Sequence, residues 1–185
     1  MHEYWGVNEQ IQKVAERWRA EGFLVAVPDL YHGVVAKTAQ EAQAQMSKLD
    51  WGKAVQEIAA AVDSLRAQGA EKVAVTGYCM GGALAFAAAT MIPDLAAVVP
   101  FYGVPPQADW SKVTAPVQAH FAAHDQWASP EKGKEIQQAL GGKMELHVYD
   151  AQHAFCNERR PEVYNADAAH QAWGRTVAFV RQHTA

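Results

Sequence analysis

Gly77-Tyr78-Cys79-Met80-Gly81-Gly82 is the stretch that decides the fold. A short apolar run, Lys72 to Thr76, leads into it, and an alanine-rich run, about Gly82 to Met91, leads out. The first reads as a buried strand and the second as a helix, so the glycines flank a tight strand-to-helix turn. A nucleophile raised on such a strained turn needs small neighbours that let the backbone pass, and the raised residue here is Cys79. At a helix N-terminus the partial positive charge favours its thiolate, and the Met80 amide is placed to meet a developing oxyanion. Taken alone, the same stretch also fits a buried cysteine in a structural turn.

Outward from the turn, apolar patterning switches between short continuous runs and helical stripes. Parallel strands buried on both faces and joined by helices read this way. Upstream, Ile11, Val14, Ala15 and Trp18 share one helical face, with Asn8 as N-cap and Gly22 as stop. Phe23 to Val27 then reads as a strand ended by Pro28-Asp29. Val55, Ile58, Ala59, Val62 and Leu65 form a second stripe closed by Gly69; the Ala- and Gln-rich Ala39 to Met46 between the two is given no element.

Downstream, Ala96 to Tyr102 and Val117 to Ala122 read as strands, and Ser129-Pro130 starts a helix. Met144, Leu146 and Val148 alternate with Glu145, His147 and Tyr149, which predicts a half-exposed strand near a sheet edge. A closing helix, about Pro161 to Gln182, should bury Trp173, Val177 and Val180. The expectation is one α/β domain over residues 1–185, without repeat or linker.

The 185 residues carry 16 Lys plus Arg against 20 Asp plus Glu, a net charge of -4, and the longest basic run is Arg159-Arg160. That argues against a nucleic-acid partner, which needs clustered positive charge. Half the residues are hydrophobic and 19% are charged, enough for a packed core. No apolar stretch approaches the roughly 20 residues of a membrane helix, and the N-terminus lacks the parts of a secretion signal. A cytoplasmic chain, a monomer or small homo-oligomer, is expected, with its two cysteines as free thiols. No His, Cys and acid spacing suggests a metal site.

Asp125 lies just beyond the strand Val117 to Ala122, and His153 just beyond the strand Met144 to Tyr149. Nucleophile, acid, histidine, each following a strand, is the chain order of α/β-hydrolase triads. In that division of labour His153 takes the thiol proton and later protonates the leaving group, while Asp125 fixes its tautomer and stabilises the imidazolium. His120, His124 and His147 are better explained as packed or surface histidines. Asp29 precedes the nucleophile, and Asp150 is so close in sequence to His153 that a turn role fits it as well.

With these residues in view, the chain resembles the dienelactone hydrolases, or carboxymethylenebutenolidases, along essentially its whole length. The resemblance is carried by Glu3-Tyr4-Trp5-Gly6-Val7-Asn8, Pro28-Asp29-Leu30-Tyr31, the glycine turn around Cys79, Phe101-Tyr102-Gly103, Asp125 and His153-Ala154-Phe155. It implies hydrolysis of a small soluble ester or lactone through a thioester on cysteine, without a cofactor. It implies further that Glu3 helps activate the thiol and that the Tyr4 amide joins Met80 in the oxyanion hole. Trp5, Tyr31, Trp127 and Phe155 are candidates for an apolar pocket, each equally readable as core or cover. A general carboxylesterase or thioesterase, and a silent α/β-hydrolase fold that only binds, are the alternatives.

Two departures qualify the resemblance. Family members that hold a dienelactone carboxylate use arginines where this chain reads Tyr31-His32-Gly33 and Cys156-Asn157, so the dienelactone itself is not the expected substrate. Family members also run for several tens of residues, including a central strand, before the glutamate segment. The expectation is that Met1 corresponds to an internal residue of a longer parent and that the sheet is N-terminally shortened, with either a gap of about 10 Å between the missing strand's two neighbours or direct pairing of those neighbours.

Overall fold

A computed structural model describes residues 1–185. Three helices come first, α1 (Glu9–Ala20), α2 (Ala39–Lys48) and α3 (Trp51–Ala67). Strands and helices then alternate: β1 (Ala74–Tyr78), α4 (Met80–Met91), β2 (Ala97–Phe101), β3 (Val117–His124), α5 (Pro130–Leu140), β4 (Met144–Gln152) and α6 (Ala166–Thr184). The four strands pair in parallel in the order β1-β2-β3-β4.

Successive residues of a strand face opposite sides of the sheet, and the two sides bury different sets. Val75, Val98, Val117, Ala119 and Phe121 join one cluster with side chains of α3, α4 and α5. Ala97, Val99, Phe101 and Ala122 join another with Ile11 and Trp18 of α1 and Val177 and Val180 of α6. Because both faces are covered, β2 is buried throughout, as its unbroken apolar sequence requires. β4 lies at an edge and alternates in burial over its second half, where Tyr149 and Ala151 are buried and Val148, expected to face inward, is 43% exposed.

Local chemistry sets the helix ends. Asn8 Oδ1 accepts from the Ile11 amide, and Ser129 caps α5 with Pro130 in its first turn. The closing helix begins at Ala166, later than the patterning suggests, because Asn165 Oδ1 accepts from the Ala168 amide and Pro161–Val163 form a turn. α2 was not anticipated: it buries only Ala42, so it carries no apolar stripe to read.

One expected strand is absent. Phe23 to Val27 joins no ladder, and a groove lies between it and the free edge of β1. Only Met1 bridges toward that edge: its amine donates to the Thr76 carbonyl, and its carbonyl accepts from the Tyr78 amide. No helix is long and apolar enough to cross a membrane.

Candidate active site

β1 delivers Cys79 to the C-terminal end of the sheet, and α4 begins at the next residue. Cys79 has φ 56° and ψ −116°, a left-handed conformation that side chains other than glycine rarely adopt and that costs about 1–3 kcal/mol. Its amide donates to the Phe101 carbonyl at 3.0 Å, and its own carbonyl accepts from the Ala83 amide at 3.0 Å. Two glycines make this turn possible. A Cβ on Gly77 would lie 2.0 Å from the Gly81 carbonyl oxygen, and one on Gly81 would lie 2.6 Å from the carbonyl oxygens of Met1 and His2. The N-terminal residues therefore cross directly over the turn, which brings Glu3 and Tyr4 into this region.

Three side chains distant in sequence meet there. His153 Nε2 lies 3.2 Å from Cys79 Sγ, and His153 Nδ1 lies 2.6 Å from Asp125 Oδ2. The other oxygen of Asp125 accepts from the Trp127 and Ala128 amides at 2.8 and 3.0 Å, so the carboxylate is fixed on both sides. Its side chain is wholly buried, and that of His153 is 14% exposed. Burial alone would pull the His153 pKa down, but the hydrogen bonds and charges of Asp125 and Cys79 outweigh it and raise the pKa to about 10. Tyr102 and Trp127 pack edge-on against the imidazole, with ring centres 5.2 and 5.3 Å away.

Glu3 is buried beside this relay. Tyr102 Oη donates to its Oε1 at 3.2 Å, and Asn157 Nδ2 donates to its Oε2 at 2.6 Å. Burial raises its pKa, against the opposing pull of the Asn157 hydrogen bond and the His153 charge. Its hydrogen-bond partners are Tyr102 and Asn157 rather than the thiol. Tyr4 is half-buried with its ring against Trp5, and its amide has no acceptor within the chain. The Met80 amide, at the first helical position, has no intrahelical acceptor.

The aromatic candidates separate by location. Trp127 is 74% exposed at the rim and Trp5 is half-buried. Tyr31 is buried, donating its hydroxyl to Met80 Sδ, so it supports the turn. Phe155 is fully buried against Tyr102 and Tyr149 and belongs to the core rather than to a pocket wall.

Several contributors escaped sequence reasoning. His2 is fully buried; its Nδ1 faces the Glu3 carbonyl, its Nε2 accepts from the Leu30 amide, and burial lowers its pKa to about 4. Tyr102 and Asn157, which hold Glu3, gave no local signal beyond membership of a motif and a loop. The rival histidines are occupied elsewhere: His120 is buried against Tyr149, Gln118 and Thr176, and His124 pairs with Asp150 at the surface. His147 lies near Glu145. The second thiol, Cys156, is pushed well up in pKa by burial. No group of three or more His, Cys, Asp or Glu side chains is gathered so as to hold a metal ion.

The model of the dienelactone hydrolase family matches residues 1–184. The chain belongs to the dienelactone hydrolase family. The Aquifex pyrophilus protein named "Protein usf" is 33% identical over 201 residues, covering 99% of this chain and 86% of the relative. A Saccharolobus solfataricus protein named "Putative carboxymethylenebutenolidase" is 30% identical over 226 residues, covering 98% of this chain and 87% of the relative. The crystal structure of a Klebsiella pneumoniae protein described as "Putative Dienelactone Hydrolase" superposes with a TM-score of 0.85 at 26% identity, over 98% of this chain and 84% of that one. As a dienelactone hydrolase relative, the chain is a carboxylic ester hydrolase with the α/β-hydrolase fold.

Proposed function

We propose that this dienelactone hydrolase relative hydrolyses small esters or lactones lacking a second carboxylate, with Cys79 as nucleophile and a thioester intermediate. The observation that carries the reading is the continuous relay from Sγ through His153 to Asp125, at 3.2 and 2.6 Å. Such spacing suits proton transfer from the thiol to Nε2 while Asp125 steadies the imidazolium.

Thiolate attack forms the S–C bond and moves the carbonyl electron pair onto oxygen. The amides of Met80 and Tyr4 are assigned to that oxyanion, both lacking acceptors within the fold. Collapse breaks the C–O bond, and the leaving oxygen takes the proton from His153 Nε2. Water then attacks the thioester, giving its proton to Nε2, and C–S cleavage releases the acid and restores Cys79. For a lactone, acid and alcohol are one molecule.

Glu3, held by neutral donors, is assigned to the thiol environment rather than to direct contact with Sγ. Trp127 and Trp5 are assigned to the rim of the substrate site. The preference for an uncharged substrate rests on Asn157: it stands where the family resemblance places a carboxylate-binding arginine, and its amide is engaged by Glu3.

The test compares uncharged and carboxylate-bearing chromogenic esters and lactones on the wild type and Cys79→Ala. Turnover of the uncharged members that disappears in the variant supports the reading. Equal turnover by the variant, or a preference for the carboxylate-bearing members, refutes it.

A further inference from the structure

His2 is fully buried, and no step of the proposed chemistry uses it. Both of its ring nitrogens face backbone groups. Nδ1 lies 2.5 Å from the Glu3 carbonyl oxygen, and Nε2 lies 3.3 Å from the Leu30 nitrogen. A carbonyl can only accept and an amide N–H can only donate, so the ring carries its proton on Nδ1 and leaves Nε2 bare. Burial keeps the ring in that neutral form near pH 7, lowering its pKa to about 4.

The Glu3 carbonyl belongs to the same peptide group as the Tyr4 amide. That group is trans, like every other in the chain, so its C=O and N–H point in opposite directions. Whatever fixes the carbonyl therefore aims the amide. The Gly6 amide also donates to this oxygen, but at 3.4 Å, so the imidazole is the closer hold. With the carbonyl turned to His2, the Tyr4 N–H points away from the imidazole and meets no acceptor within the chain.

The other ring nitrogen ties His2 to a rigid turn. The Asp29 carboxylate accepts from the Tyr31 and Gly33 amides at 3.1 and 2.6 Å, which closes residues 29–33 on themselves, and the Leu30 amide of that turn donates to Nε2. The Tyr31 ring packs edge-on against the imidazole with centres 5.0 Å apart, and its hydroxyl donates to Met80 Sδ at 3.3 Å. His2 thus stands between the peptide that carries the Tyr4 amide and the support of Met80, whose amide is the other group assigned to the oxyanion. An apolar ring of the same size would fill the space and orient neither.

We propose that His2 is a positioning residue of the ester-hydrolysing site: through Nδ1–H it holds the Glu3–Tyr4 peptide so that the Tyr4 amide faces the substrate oxyanion. It touches neither substrate nor thiol, and its role rests on the assignment of that amide in the proposed chemistry.

Two substitutions separate the two arms of the ring. Asparagine sets a side-chain N–H near the place of Nδ1 and gives up the bond to Leu30, whereas glutamine sets its carbonyl near the place of Nε2 and gives up the bond to Glu3. With an uncharged chromogenic ester, kcat of His2→Gln should fall at least about tenfold below that of His2→Asn with KM within about threefold, because a misdirected oxyanion donor weakens the transition state more than the bound ester. Nitrogen NMR of the wild-type imidazole at pH 7 should show Nδ1 protonated and Nε2 bare, a readout that needs neither variant to fold. A proton on Nε2, a kcat for His2→Gln equal to or above that of His2→Asn, or a loss confined to KM overturns the role of His2 and leaves the chemistry of Cys79 standing. A wild type that turns over no ester refutes that chemistry instead, and the role of His2 falls with it.

Discussion

Cys79 and Cys156 place the same chemical group in opposite settings. The Cys79 thiol has an imidazole 3.2 Å away and a helix N-terminus behind it, while burial pushes the Cys156 thiol well up in pKa. Iodoacetamide should therefore modify Cys79 much faster than Cys156, read by peptide mass; equal rates would contradict the assignment. His153 supplies a second prediction at this scale. Because its pKa is raised to about 10, the imidazolium assigned to leaving-group protonation persists well above the ordinary histidine range. The alkaline limb of kcat/KM should fall near pH 10, and a fall centred near 6.5 would show that Asp125 and Cys79 do not hold the proton.

At the scale of the element, the strand-to-helix turn is the part with no slack. Gly81→Ala would push a methyl group against two backbone oxygens that no rotamer change can move. A cost of about 1–3 kcal/mol follows, with a fall in melting temperature of several degrees and in activity. Ser129→Ala removes only the cap of α5, costs about 1 kcal/mol, and should leave kcat/KM unchanged. This turn was legible in the sequence because glycine spacing and the switch from strand to helix are local signals. So were the caps at Asn8 and Ser129. Phe23 to Val27 reads as a strand on the same local grounds, yet whether it pairs depends on what lies beside it, which its own residues do not encode. The Glu3, Tyr102 and Asn157 contact joins residues up to 154 positions apart and left no pattern to find.

For the whole molecule, buried groups set how stability varies with pH. Burial lowers the Met1 amine from 8.0 to about 5 and His2 from 6.5 to about 4. The unfolded chain then binds more protons than the folded one across those intervals, so stability rises from about pH 4 to 8. Glu3, with its raised pKa, opposes part of that rise from 4.5 upward. His153 acts on the alkaline side: its folded-state pKa exceeds the unfolded 6.5, so its contribution is full below 6.5 and is lost as pH climbs toward 10. Melting temperature should peak near pH 7, and a peak at pH 5 would contradict this balance.

The most direct measurement is the mass of the Cys79 peptide after acid quench during turnover of a chromogenic ester. The mass should increase by the acyl group of the substrate, on Cys79 alone, and the adduct should disappear in Cys79→Ala together with turnover. Turnover without an acyl adduct in wild type, or undiminished in the variant, would contradict nucleophilic catalysis by this cysteine.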